Sequence, residues 1–169
     1  MTRTARRTES GFTLVELLVV VAILGILAAI AVGALLKAQN GAKTKAATSN
    51  LRTALTSAKT MRTETETYLV STVEATVTKL AEHEPSLQWQ SDPATTATEI
   101  SVQADADTAA LATRSKDGHC YYVVDDISSA AGGTTFGKSA TEATDCPAVV
   151  DTSTTTGITW AETPKLAGW

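Results

Sequence analysis

Cationic excess is the first thing this sequence lacks. Its 169 residues carry 14 Lys and Arg against 18 Asp and Glu, a formal net charge of −4. Nonspecific binding to nucleic acid needs a positive surface, so that class of function is excluded on electrostatic grounds. Aromatic residues make up 5% of the chain, while Thr and Ala are abundant; this suits a β-rich, extracellular structural domain. The two histidines, His83 and His119, are isolated, with no serine or carboxylate at motif spacing, which leaves no catalytic triad to assemble. No N-x-S/T acceptor for glycosylation occurs. Cysteine is limited to Cys120 and Cys146, in no CxxC and in no Cys/His set with zinc spacing. The pair reads as one disulfide, implying an oxidising, extracytoplasmic compartment and stabilisation of about 3 to 4 kcal/mol on the chain-entropy account.

What the chain does have is a long apolar run near its start. From Phe12 to Leu36 the only charge is Glu16. As a helix these 25 residues would extend about 37 Å, enough to cross a hydrocarbon core of about 30 Å with some tilt. The run is too long for an ordinary secretory signal, and the cleavable-looking Gly11 precedes it instead of ending it. Arg3, Arg6 and Arg7 before it are matched by Lys37, Lys43 and Lys45 after it, so flanking charge does not set the orientation. The expected disulfide favours a C-terminal domain outside the membrane.

The stretch "GFTLVE" followed by "LLVVVAILGILAAIAVGALL" resembles the N-terminus of type IV pilins and pseudopilins. The resemblance covers about 25 of the 169 residues. It implies cleavage after Gly11 by a membrane prepilin peptidase, N-methylation of the new terminus at Phe12, and an assembly role for Glu16 as the partner of a neighbour's positive amino terminus. The chain departs from the family in having Gly33 where many members have proline; glycine weakens a helix interior by about 1 kcal/mol but keeps its N–H. The implied role of Glu16 has a physical basis. A lone subunit keeps the carboxylate near the membrane surface, whereas a bundle of such helices strands it unless it is paired. Many registers suit an apolar bundle, but only one satisfies a buried charge.

Beyond Leu36, Ala47, Leu51, Ala54, Leu55, Ala58 and Met61 recur at spacings of three and four, predicting an amphipathic continuation of the helix to about Arg62 with a weak point at Asn40-Gly41. Ser71-x-x-Glu74 reads as a capping box opening a short second helix that Pro85 closes. "EISVQA", "TAALATRS" and "HCYYVVDD" predict an antiparallel meander, with "TTFGK" a further strand and the Thr-rich stretch after Pro147 a surface loop ending in "LAGW". Tyr121 and Tyr122 are expected on opposite strand faces, one in the core and one at the surface. "GGTTFGKS", residues 132–139, fits the phosphate-loop pattern, but the loop needs a parallel strand before it and a full helix after it. It is read as a glycine turn before an edge strand. Asp105, Asp107, Asp125 and Asp126 offer oxygens to a hard cation without EF-hand spacing and read as solvated turns.

The expected fold is α+β: a long N-terminal helix packed against a small antiparallel sheet head with one Cys120–Cys146 disulfide. The expected parts are a leader over 1–11, a membrane and polymerisation helix over 12–36, its amphipathic continuation over 37–62, and an extracellular head over 63–169. The expected function is that of a structural pilus subunit, with a pseudopilin of a secretion or DNA-uptake machine as the alternative within the family and an unpolymerised membrane-tethered binding domain outside it. No catalytic residue, metal or cofactor is expected. The expected partners are further copies or other pilins, the prepilin peptidase, an assembly platform, and membrane lipid before assembly, with no nucleic acid. The expected location is a single-pass membrane protein with its head outside, then a cell-surface fibre.

Overall fold

The computed structural model describes residues 12–128, 132–150 and 157–161. They fall into two compact units, one ending at Gln39 and one beginning at Asn40. Helix α1, Leu14–Thr65, supplies the whole described part of the first unit apart from Phe12 and Thr13, and contributes its C-terminal portion to the second. No proline occurs before Pro85, so nothing in the run removes a helical N–H. The helix continues through Gly33 and Gly41. It stops where Glu66 takes φ 61°, in the left-handed region, with its N–H donating to the Arg62 carbonyl at 2.7 Å.

In the second unit, α1 is followed by α2, Val73–His83, and by strands β1 Gln88–Gln90, β2 Glu99–Ala104, β3 Thr108–Arg114, β4 Cys120–Asp126, β5 Gly133–Ser139 and β6 Ile158–Ala161. The six strands form one sheet in sequence order, antiparallel except for the parallel β1–β2 pair. The cap of α2 is Thr72 rather than Ser71: its side chain accepts from the Ala75 N–H at 3.2 Å, so the Glu74 reciprocity of a capping box does not arise. At the β2–β3 turn, Asp105 Oδ1 accepts from the Thr108 N–H at 2.9 Å. The β3–β4 turn needs Gly118, whose φ is +90°.

Alternation along the strands feeds two cores. On one face, Ile100, Val102, Ala109, Leu111, Tyr121 and Val123 pack under the expected stripe of α1, with Ala47, Leu51, Ala54, Ala58 and Met61 buried and Leu55 partly so. On the other face lie Ala110, Ala112, Tyr122 and Val124, covered by Ala94, Ala148 and the disulfide. Tyr121 and Tyr122 do point opposite ways, yet both are buried, at 0% and 6% exposure. Tyr122 is not at the surface because β6 follows β5 and brings Trp160 to 5.9 Å from its ring. The stretch after Pro147 therefore holds a strand as well as loop, and β5 is an interior strand between β4 and β6. The residues of "LAGW" lie outside those described.

Cys120 and Cys146 are joined, with Cα atoms 5.5 Å apart. Ala94 and Cys146 exchange backbone hydrogen bonds of 3.0 and 2.8 Å, which ties the disulfide segment to the chain before β2.

A polar node locks α1 to the sheet. Asp125, 3% exposed, accepts hydrogen bonds from the Tyr68 hydroxyl on Oδ2 and the Thr134 hydroxyl on Oδ1, while Lys59 Nζ lies 2.9 Å from Oδ1. Lys59 also donates to Thr134 Oγ1 at 3.0 Å, and Arg62 stands 5.6 Å over the Tyr68 ring. Burial alone would push the Asp125 carboxyl up, but the bonds from Thr134, Tyr68 and Lys59 together with the lysine charge outweigh it and hold the group below its ordinary value of 3.8. Tyr68 moves the other way: burial, then the bond to Asp125 and its charge, push the phenol well above 10.0. The depressed carboxyl contributes stability above its unfolded value that is lost as pH falls through the folded one; the raised phenol contributes below pH 10.0 and is lost as pH climbs past it. Urea unfolding of the full chain in detergent, followed by tryptophan fluorescence, checks both edges. Asp125→Asn should lower stability at neutral pH by about 1 to 3 kcal/mol and flatten the loss below about pH 4. Tyr68→Phe should flatten the loss above about pH 10.

Candidate functional site

The first turn of α1 gathers the residues that the sequence singles out. Phe12 is 84% exposed, and the large apolar side chains from Leu14 to Leu36 are exposed on every side of the helix within this chain. An amphipathic helix buries one stripe; one that is apolar all round belongs in a protein core or a membrane. This helix is long and apolar enough to cross a bilayer.

Glu16 sits in that first turn, and its carboxylate is already engaged. Oε2 accepts the Thr13 N–H at 3.1 Å and the Thr13 hydroxyl at 2.9 Å, while Thr13 Oγ1 accepts the Glu16 N–H at 3.2 Å. This is a reciprocal capping box, with Thr13 as the cap and Glu16 three positions on. It satisfies two N–H groups that open the helix and places a negative charge at the positive end of the helix dipole. The signal was present in the sequence as Thr13-x-x-Glu16, the same pattern invoked at Ser71 and Glu74, where it does not operate. The box leaves Oε1 without a hydrogen bond among the described residues, so the carboxylate retains one oxygen for an external cation. Gly11 lies outside the described residues.

The other sequence candidates belong to the second unit and are used structurally. Cys120 and Cys146 form the disulfide. Asp125 is consumed by the node, and Asp105 by its turn. Asp126 accepts from the Ser128 N–H at 2.8 Å. His83 lies 3.3 Å from Glu64 Oε2. Among the described residues, no group of three or more His, Cys, Asp or Glu side chains could hold a metal ion.

The phosphate-loop pattern resolves into strand geometry. Gly133 to Ser139 is β5, paired on both sides. A Cβ at Gly137 would fall 2.7 Å from Trp160 Cε3 and Cζ3 and 2.9 Å from Ile158 Cγ2, so this glycine exists to let the β6 indole lie across the strand. Lys138 Nζ stands 5.4 Å over the Tyr121 ring.

Comparison with known families matches residues 6–32 to the family described as the prokaryotic N-terminal methylation motif, the signal segment of type IV pilins and pseudopilins. No curated protein matches the chain. No solved structure matches it either.

The roles of Gly137 and Lys138 set an order of sensitivity opposite to that of a nucleotide site. Gly137→Val should destabilise the full chain by about 1 to 3 kcal/mol through overpacking against Trp160, visible in urea unfolding and in tryptophan fluorescence. Lys138→Ala should cost about 0.5 to 1 kcal/mol and leave no affinity for ATP with magnesium to be lost. A Lys138-dependent nucleotide affinity would overturn the strand reading of this motif.

Proposed function

We propose that this chain, pilin-like in its N-terminal segment, is a structural subunit of a type IV pilus that polymerises through α1. Prepilin peptidase cuts after Gly11, Phe12 becomes the N-methylated terminus, and Glu16 stands at the fifth position of the mature chain. The observation that carries the reading is the pairing of an apolar surface on every side of residues 14–36 with one carboxylate whose Oε1 has no hydrogen bond among the described residues. In a bundle of these helices the apolar surface is buried by neighbours, and the positive Phe12 terminus of another copy supplies the charge that Glu16 needs. The disulfide of the second unit favours placing that unit outside the membrane, where it decorates the fibre. A pseudopilin of a secretion or DNA-uptake machine shares every N-terminal residue of this argument. Its fibres would be short and confined to the envelope, and microscopy of sheared cell-surface material separates the two.

Intact mass of assembled material should show loss of residues 1–11 and gain of one methyl group. Glu16→Ala should still insert and be cleaved, because the substitution makes the helix more apolar. It should fail afterwards, when an unpaired Phe12 ammonium enters the bundle at a cost of about 3 to 5 kcal/mol per subunit. The quantity to compare is the processed subunit in sheared fibres against that left in membranes, at equal expression. Wild-type incorporation of the processed variant would remove Glu16 as the register device.

A further inference from the structure

Charge along the chain is strongly segregated. Residues 37–62 hold six Lys or Arg and no carboxylate, whereas residues 63–169 hold five against sixteen Asp or Glu. Within the second unit, some of the cations of α1 are used internally: Lys59 by Asp125 and Arg62 by Tyr68. Lys45 and Arg52 are exposed and have no side-chain partner among the described residues. Lys45, Arg52 and the half-exposed Lys59 follow at intervals of seven, so they lie along one line of the helix surface. Beside that line run Ser49, Thr53, Thr56, Thr60 and Thr63, all exposed. Past the end of α1 the sign changes. Glu66 and Glu74 are exposed carboxylates, again without a side-chain partner among the described residues.

We infer that this face of α1 docks a second copy of the same chain, with Lys45 and Arg52 of one copy against Glu66 and Glu74 of the next. The inference rests on the polymer reading, because a shared membrane orientation makes the copies parallel. Parallel copies in register would set cation against cation along the line, which is unfavourable. Glu66 follows Arg52 by 14 residues and Lys45 by 21. At the helical rise the longer interval corresponds to an axial displacement of about 30 Å, which sets Lys45 beside Glu66 of the next copy, whereas the shorter, about 20 Å, would set Lys45 beside Lys59. Glu16 pairing demands that a neighbour's terminus be near; the segregated charges specify in which direction, and roughly how far, the outer parts of the subunits are displaced. Complementary charge of this kind acts on register and encounter rate and is weakened by salt.

The test is a charge swap in the full-length chain in cells, read as processed subunit in sheared fibres. Lys45→Glu with Arg52→Glu, and separately Glu66→Lys with Glu74→Lys, should each lower fibre yield about tenfold, the loss that about 1.4 kcal/mol gives. Carrying all four substitutions should restore most of it. Disulfide formation and processing at wild-type level in every variant establish that each chain folds and matures. The inference is overturned if both pairs assemble normally, or if the four-fold variant is no better than the worse pair. It is also overturned if only the basic pair matters, which would assign Lys45 and Arg52 to anionic lipid headgroups. A wild-type chain that is processed yet never enters fibres would instead remove the polymer reading and this inference with it.

Discussion

The first half of helix α1 is left unburied by the described residues. From Leu14 to Leu36 its apolar side chains are exposed, with no covering element among the described residues, and burying side chains of this kind is worth about 1.5 to 3 kcal/mol each. That unmet demand calls for an apolar surrounding, which a bilayer supplies and which, on the proposed pilus function, other helices would supply in an assembly. Lipid satisfies it without specifying any arrangement, since hydrocarbon accepts every rotation and depth alike. Specificity has to come from the few polar groups present, which is why a lone carboxylate matters so much in this segment.

The C-terminal portion of the same helix obeys the opposite rule. Alanines at 47, 54 and 58 let the backbone approach the sheet closely, while Leu51 and Met61 fill the space that remains. The sheet has a second buried face, built from small residues, Ala110 and Ala112, with the disulfide, and from a larger pair, Tyr122 on β4 and the partly buried Trp160 on β6. Two covered faces explain how a chain so poor in aromatics sustains a six-stranded sheet. Small side chains on the strands are matched by a close-fitting helix on one side and a covalently stapled loop on the other.

Much of this was legible in the sequence, for reasons of period. The apolar run, the three- and four-residue spacing after it, the alternation in "EISVQA" and the short continuous apolar run in "HCYYVVDD" are signals that burial writes directly into residue order. The errors fall where order carries less information. Strand β1 is three residues long and pairs in parallel with β2, so it has too few positions to show a period. Strand β6 sits in a Thr-rich stretch and is recognisable only once Gly137 is seen to leave room for Trp160. A meander covered by one helix has one dry face, which puts one of Tyr121 and Tyr122 at the surface; both are buried because the cover on the other face, over Tyr122, is contributed by residues with no apolar pattern of their own. At the N-terminus, the resemblance drew attention to Glu16, while the reciprocal bonds with Thr13 required atoms.

Two carboxylates show how the same group can close a fold or leave it open. Asp125 has both oxygens engaged, by Tyr68 on one and by Thr134 and Lys59 on the other, and all three partners come from its own unit. Nothing further is needed to keep its charge in place, so it acts as an internal lock. Glu16 has one oxygen committed to Thr13 and one without a hydrogen bond among the described residues, at the end of a helix whose apolar surface those residues leave uncovered. A half-satisfied carboxylate is tolerable at a membrane surface, where water and headgroups supply the second partner, and intolerable inside an apolar bundle. Moving from the first environment to the second therefore requires a cation to arrive together with the burial. On the proposed pilus function, the cation that would meet Glu16 in a parallel bundle of identical chains is the terminus created by leader removal, and processing would then be a condition for burying the charge.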